Sequence, residues 1–185
     1  QAVYMAPTKA LCSERCKDWQ KKFRTLGVTC NELTGDSNGY QMQEIQRSQI
    51  IVTTPEKWDS TTRKWRDHKS LMGFVRLFLI DEVHTLNEPG RGATLEVVVS
   101  RMQTVSLEMQ RESGGSSTKS RLRILALSAT VPNIQDVGNW LRDPAHGPAT
   151  IRVFGEEFRP VQLHREVLAF HGGEGGNKGA FAFEK

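Results

Sequence analysis

The feature that most constrains the fold is a short apolar run that ends on charge. Val75-Arg76-Leu77-Phe78-Leu79-Ile80 is apolar except for Arg76, and Asp81-Glu82-Val83-His84 follows without a spacer. A stretch this short and this apolar reads as a strand buried in a parallel sheet. Open α/β sheets bind ligands at the carboxyl ends of their strands. Two adjacent carboxylates at such an end are candidates for holding magnesium on nucleotide phosphates and for orienting an attacking water. The same pair is equally compatible with a solvated acidic strand exit, and the surroundings have to separate the two.

The rest of the chain repeats the arrangement. Val3 to Met5 reads as a strand ended by Ala6-Pro7, after which Thr8 caps a helix running to about Leu26 and stopped by Gly27. Its apolar stripe is Leu11, Cys16 or Cys12, Trp19, Phe23 and Leu26, at helical spacing. Val28 to Leu33 is a second short strand closed by Thr34-Gly35-Asp36, followed by a turn at Ser37-Asn38-Gly39 and a short helix from Gln41 to Arg47. Gln49 to Thr53 is a β-branched strand ending at Thr54-Pro55. Pro55 suits the first turn of a helix predicted to carry both Trp58 and Trp65.

Phe74 to Ile80 is the strand before the carboxylates, and a long helix spans Gly92 to about Gln110. A flexible loop at Ser113-Gly114-Gly115-Ser116-Ser117 precedes a further buried strand, Leu122 to Leu127, which runs into Ser128-Ala129-Thr130. A short helix from Asn133 to Leu141, an extended stretch from Pro160 to Phe170 and a glycine-rich tail from His171 complete the chain. Strands alternating with helices and no internal repeat predict an α/β fold with a doubly wound, mostly parallel sheet.

A chain of 185 residues suits one domain and is short for two. Lys and Arg total 25 against 21 Asp and Glu, and the resulting +4 permits a nucleic-acid partner without requiring one. Cys12, Cys16 and Cys30 lack zinc-ligand spacing and read as small apolar side chains in a reduced compartment. No apolar run approaches the ~20 residues of a membrane span, so no membrane partner and an intracellular setting are expected. Because Gln1-Ala2-Val3-Tyr4-Met5 begins as a strand already under way, the chain is expected to be a piece of a longer protein.

Four segments fall at predicted strand ends: Pro7-Thr8-Lys9, Thr54-Pro55-Glu56-Lys57, Asp81-Glu82-Val83-His84 and Ser128-Ala129-Thr130. In a parallel sheet these ends share one rim. The series P-T-K-A-L, T-G-D, T-P-E-K-W-D, D-E-V-H, R-G-A-T-L-E and S-A-T, in this order, resembles the first RecA-like domain of superfamily 2 helicases, and most of all the Ski-like branch. Within that branch the runs from Tyr4 to Arg15 and from Thr54 to Asp67 look closest to the meiotic crossover-promoting DNA helicases. The resemblance covers about residues 1 to 170, a partial first RecA-like domain, and leaves 171 to 185 as a linker or tail.

The resemblance implies a role for each matching residue. Asp81 would hold Mg2+ through water and Glu82 would polarise the water that attacks ATP. His84 would couple the nucleotide site to Ser128 and Thr130. Pro7, Thr8, Lys9, Thr54, Pro55, Glu56 and Lys57 would track the backbone of one nucleic-acid strand, with Arg91 as a further contact. Elementary physics agrees, since helix N-termini offer unpaired amides and Lys9 and Lys57 add charge.

Other residues are expected to be structural. Trp58 and Trp65 are read as packing residues, Arg63-Lys64-Trp65-Arg66 as a solvated helix face, and His171 to Gly176 as a flexible connection. A structural hydrogen bond is the alternative role for His84. The implied function is that of an ATP-dependent 3′ to 5′ DNA helicase in meiotic recombination, acting in the nucleus on single-stranded and branched DNA. An RNA helicase of the same branch and a non-catalytic binding module are the alternatives. No G-x-x-x-x-G-K-[ST] loop occurs in the sequence. Residues 1–185 alone are therefore expected not to hydrolyse ATP, needing a phosphate loop and a second RecA-like domain from elsewhere.

Overall fold

A computed structural model describes residues 1–35, 39–112, 121–143 and 146–168. Five strands form one sheet among these residues: β1 (Ala2–Met5), β2 (Cys30–Leu33), β3 (Ile50–Thr53), β4 (Leu77–Ile80) and β5 (Arg123–Ala126). Their spatial order is β2-β3-β1-β4-β5, and every pairing is parallel. Met5, Thr53, Ile80 and Ala126 are in register, directly or through their shared neighbours, so the four strands that carry the motifs end at one level.

Alternation along the strands sorts side chains to two faces. Val3, Met5, Ile51, Phe78 and Ile80 are buried in the larger cluster, which is completed by α3 (Pro55–Thr62), α4 (Lys69–Phe74) and α5 (Arg91–Glu112), together with Ile45 of α2 (Gly39–Arg47). Tyr4, Ala6, Cys30 and Val52 lie on the opposite face under α1 (Lys9–Phe23), packed with Cys12 and Cys16. The last helix, α6 (Ile134–Trp140), sends Val137 and Trp140 against the larger cluster.

Several boundaries depart from expectation for physical reasons. The helix after Pro55 stops at Thr62, because the hydroxyls of Thr61 and Thr62 turn back to the carbonyls of Lys57 and Trp58. Trp65 therefore sits in a separate 3₁₀ turn, Trp65–His68, followed by a helix absent from the sequence reading, α4. Phe74 ends that helix and is exposed, so the strand begins only at Leu77. The α1 stripe is rotated: Cys12 and Cys16 are buried, while Leu11 is 37% and Leu26 72% exposed. Gly27 (φ 66°) ends the 3₁₀ turn Arg24–Leu26 in the left-handed region, as a helix stop requires.

Among the described residues β5 stands at one end of the strand order and pairs with β4 alone. Ile124 and Ala126 pack inward, whereas Leu125 and Leu127 are half exposed. Residues 159–168 form no strand, and the 3₁₀ turn Glu156–Phe158 precedes them. Of the expected turn Ser37-Asn38-Gly39, the first two residues lie outside the described residues and Gly39 opens α2; the loop expected at 113–117 and the tail from 171 onward also lie outside them. All three cysteines are free and buried, as expected of apolar fillers. Burial pushes the Cys12 thiol up to about 12.

Candidate nucleotide and nucleic-acid site

Two helix starts flank one groove. Thr8 is extended (φ −136°, ψ 152°) and its Oγ1 accepts the Leu11 amide at 3.3 Å. Thr54 is extended likewise (φ −102°, ψ 159°) and accepts the Lys57 amide at 3.4 Å, with Pro55 buried in the first helical turn. Thr54 follows β3 directly and Thr8 follows β1 after Ala6-Pro7, so both strand-to-helix turns are short. Helix geometry leaves the amides of Lys9, Ala10 and Glu56 without intrahelical acceptors, and these are ready-made anion donors.

The groove has a volume of about 520 Å³ and is lined by Pro7, Thr8, Lys9, Thr54, Glu56, Lys57 and Arg91. Sequence reasoning named all seven of these, and Pro55 is the one expected strand contact that lies buried instead. It missed Gly35 and Ser60, which also line the groove. Gly35 was within reach, because it belongs to the Thr34-Gly35-Asp36 strand exit.

The T-P-E-K-W-D run is held from behind. Trp58 is fully buried, tilted against Phe78 at a ring-centroid distance of 6.3 Å, with Nε1 donating to Met102 Sδ at 3.3 Å. Trp65 packs partly against the same core, with Arg66 over its ring at 4.7 Å, so neither tryptophan offers a free stacking face. Asp59 is buried and takes Arg101 Nη1 at 2.8 Å and Arg63 Nη2 at 2.6 Å. Burial alone would push its carboxyl up; the hydrogen bonds from Arg63 and Arg101 outweigh that and hold it below the usual carboxylate range. Arg101 also donates to the Thr62 hydroxyl at 2.9 Å. This brace fixes α3 to α5 and so fixes Thr54 and Lys57. No sequence signal pairs residues 42 apart.

The carboxylate box stands on the same rim. Asp81 lies just past β4 and its amide donates to the Met5 carbonyl at 2.9 Å. Its Oδ1 accepts the Glu82 amide at 3.1 Å and its Oδ2 accepts the Tyr4 hydroxyl. Tyr4 was not foreseen, although it sits in the strand before Pro7-Thr8-Lys9. Burial first, and the bond to Asp81 second, push its phenol up to about 12. Each Asp81 oxygen keeps a lone pair free, which suits a magnesium ion bound through water. Among the described residues no cluster of three or more His, Cys, Asp or Glu could cage a metal, so such an ion would take its other ligands from phosphate oxygens and water.

Glu82 is the one non-glycine described residue in the left-handed region (φ 54°, ψ 50°). Such a backbone costs on the order of 1 kcal/mol for a residue with a side chain, and it marks functional turns. It projects the carboxylate outward before the 3₁₀ turn Val83–Asn87, where Val83 N is anchored on the Leu127 carbonyl at 2.9 Å. Glu82 Oε2 lies 3.2 Å from His84 Nδ1, and Ser128 Oγ lies 3.4 Å from the same nitrogen. The carboxylate needs Nδ1–H, whereas a donating Ser128 hydroxyl needs the bare nitrogen, so the two partners favour opposite states of one atom. The box and Ser128 are thus brought together as expected. Thr130 is exposed and makes no hydrogen bond to His84.

The sequence model of a family described as DEAD/DEAH box helicase matches residues 1–137. The chain is 53% identical over 168 residues to the human protein named probable ATP-dependent DNA helicase HFM1, covering 91% of this chain and 12% of that protein. It is 45% identical over 188 residues to the Arabidopsis thaliana ATP-dependent DNA helicase homolog MER3, covering 100% of this chain and 16% of the relative. The chain therefore spans only a small part of these relatives' length. Among solved structures, the helicase MrfA bound to DNA and AMPPNP superposes with a TM-score of 0.63 at 22% identity, over 76% of this chain and 19% of that one. That likeness concerns the fold.

Proposed function

The chain belongs to the DEAD/DEAH box helicases, and from that premise we propose that it is part of an ATP-dependent DNA helicase that moves 3′ to 5′ along one strand and unwinds duplex. The observation that carries the proposal is the shared rim: the lysine-bearing helix starts and the carboxylate box end parallel strands at one level. A strand lying in the groove is held by the amides at the starts of α1 and α3 and by Lys9 and Lys57. These contacts are to the sugar-phosphate backbone, so binding is sequence-tolerant.

ATP is the substrate on the other side of the rim. Bound magnesium would neutralise charge developing on the phosphates. Asp81 would hold it, oriented by the Tyr4 hydroxyl and the Glu82 amide. Glu82, turned outward by its backbone, orients the attacking water and draws its proton. His84 senses the state of Glu82 and passes it to Ser128, with Thr130 beyond, on the segment after β5. Residues 1–185 carry no phosphate-loop motif, so by themselves they hydrolyse no ATP. The domain is read as residues 1–170. Meiotic recombination in the nucleus is the proposed setting, on the strength of the resemblance of the runs from Tyr4 to Arg15 and from Thr54 to Asp67 to the meiotic crossover-promoting DNA helicases.

The test compares the full-length protein with the 1–185 chain. Phosphate release by the former is expected to rise with single-stranded DNA more than with a matched RNA, and the latter is expected to show none. Equal or greater stimulation by RNA favours the RNA helicase reading. No hydrolysis by the full-length protein with either strand leaves a binding module.

A further inference from the structure

Arg91 stands where helix electrostatics disfavour it. It is the first residue of α5, a 22-residue helix with no acidic residue in its first turn, and the positive end of a helix dipole repels a cation. Its contacts explain its place. Nη2 donates to the Pro7 carbonyl at 2.6 Å, across 84 residues of sequence. Nη1 lies 3.4 Å from Glu88 Oε2, and Nε lies 3.9 Å from Glu56 Oε1. The three nitrogens of one planar group are turned toward three segments: the loop before α1, the first turn of α3 and the lead-in to α5. The first two are the lips of the groove.

The neighbouring glycine sets where that side chain starts. A Cβ at Gly92 would lie 1.9 Å from the Leu86 carbonyl oxygen. The first turn of α5 is thus pressed against the 3₁₀ turn that follows the carboxylate box, and the Gly92 amide donates to the Glu88 carbonyl at 3.0 Å. The base of the Arg91 side chain is tied to the turn after Glu82, and its tip to the groove.

We propose that Arg91 is a positioning residue that holds the Pro7-Thr8-Lys9 loop against the Thr54-Pro55-Glu56-Lys57 turn, and is not itself a phosphate contact. The proposal rests on the reading of the groove as a strand-binding surface. A phosphate approaching Arg91 has to compete with a carbonyl and two carboxylates already turned toward its nitrogens. Among the described residues, Lys9 and Lys57 have no ion-pair partner and remain available to phosphate. The presence of Glu56 in an anion-binding groove is explained as well, because its carboxylate is turned toward Arg91.

Hydrogen exchange on the full-length protein without nucleic acid tests the holding role. The amides of Ala6, Leu11 and Cys12 are bonded to Thr53 O, Thr8 Oγ1 and Thr8 O and report on the loop. Loss of one net hydrogen bond changes an opening equilibrium by about fivefold. Arg91→Ala is expected to speed exchange in residues 6–12 by about that factor. Arg91→Lys is expected not to restore protection, since one ammonium cannot span the partners of a planar fork. Titration of a single-stranded oligonucleotide then separates holding from contact. Arg91→Ala should weaken binding with the log–log salt slope unchanged, while Lys9→Ala and Lys57→Ala each lower the slope by about 0.7.

Unchanged exchange in Arg91→Ala overturns the proposal. So does a slope reduced by about 0.7 in that variant, or full recovery of affinity in Arg91→Lys, because each makes Arg91 a charge that touches phosphate. If both lysine variants bind like the parent, the groove reading fails separately, and exchange in the free protein still decides whether Arg91 holds the loop.

Discussion

Where Lys9 and Lys57 stand, each helix start is capped by a threonine and braced from behind, whereas Asp81, Glu82 and His84 stand on a turn whose backbone is left-handed at Glu82. The groove side draws on a buried tryptophan, the buried Asp59 with its partner Arg101, and an arginine bridging two loops. On the carboxylate side Glu82 and His84 are 42% and 38% exposed, and the Ser128 contact is long. A surface that only has to present charge to a backbone can be held rigid by packing and ion pairs. A site that has to respond to hydrolysis has to keep unspent lone pairs, a titratable link and a backbone held away from its minimum.

The largest expected effect breaks the brace. Asp59→Ala leaves Arg101 half-satisfied beside the core and should destabilise the 1–185 chain by about 3 kcal/mol, read by urea unfolding at neutral pH. The pH dependence has a definite sign. The folded Asp59 carboxyl titrates below its unfolded value of about 3.9, so its contribution is fully present above that pH and is lost as pH falls through the folded value. The gap between parent and variant should therefore close only below about pH 4. A gap that closes near neutrality assigns it to some other group.

Glu82→Gln probes the opposite side. In the full-length protein ATP turnover should fall by about 100-fold, equivalent to ~2.7 kcal/mol, as for loss of a general base. Single-strand affinity should hold, since the groove is untouched. Loss of affinity in this variant would mean the two sides are not separately built. Gly92→Ala strikes the joint between them. Its Cβ has no room beside the Leu86 carbonyl, and a backbone shift costing about 2 kcal/mol is expected. The same change at Gly138 meets the Ile151 side chain at 2.8 Å and backbone only at 3.6 Å, and should cost less. Thermal unfolding of both variants ranks them, and the reverse order refutes the close seat of α5. The smallest effect belongs to Ser128→Ala. Loss of a 3.4 Å contact should leave unfolding unchanged and alter only the coupling of turnover to the strand, measured as fold stimulation of phosphate release.

Much of this site was legible in the chain. Thr8, Thr54 and Pro55 announce helix starts by local chemistry, and the apolar runs before them announce strands. The carboxylate box and Ser128 were found by their place at strand ends. Tyr4, Arg101 and the bridging role of Arg91 were not, because each acts on a residue 42 to 84 positions away. The α1 stripe was misjudged for a related reason. Helical spacing gives two adjacent candidate faces there, and only the sheet selects the one bearing Cys12 and Cys16.

The sequence by itself determined the order of strands and helices other than α4, the threonine caps and the motifs at the strand ends, because dihedral preference, capping and apolar period act within a few residues. Tertiary structure alone decided that Asp59 meets Arg101, that Glu82 turns left-handed, and that one arginine joins two loops. Those outcomes depend on which distant groups share a hydrogen bond or exclude water, and no local pattern encodes that.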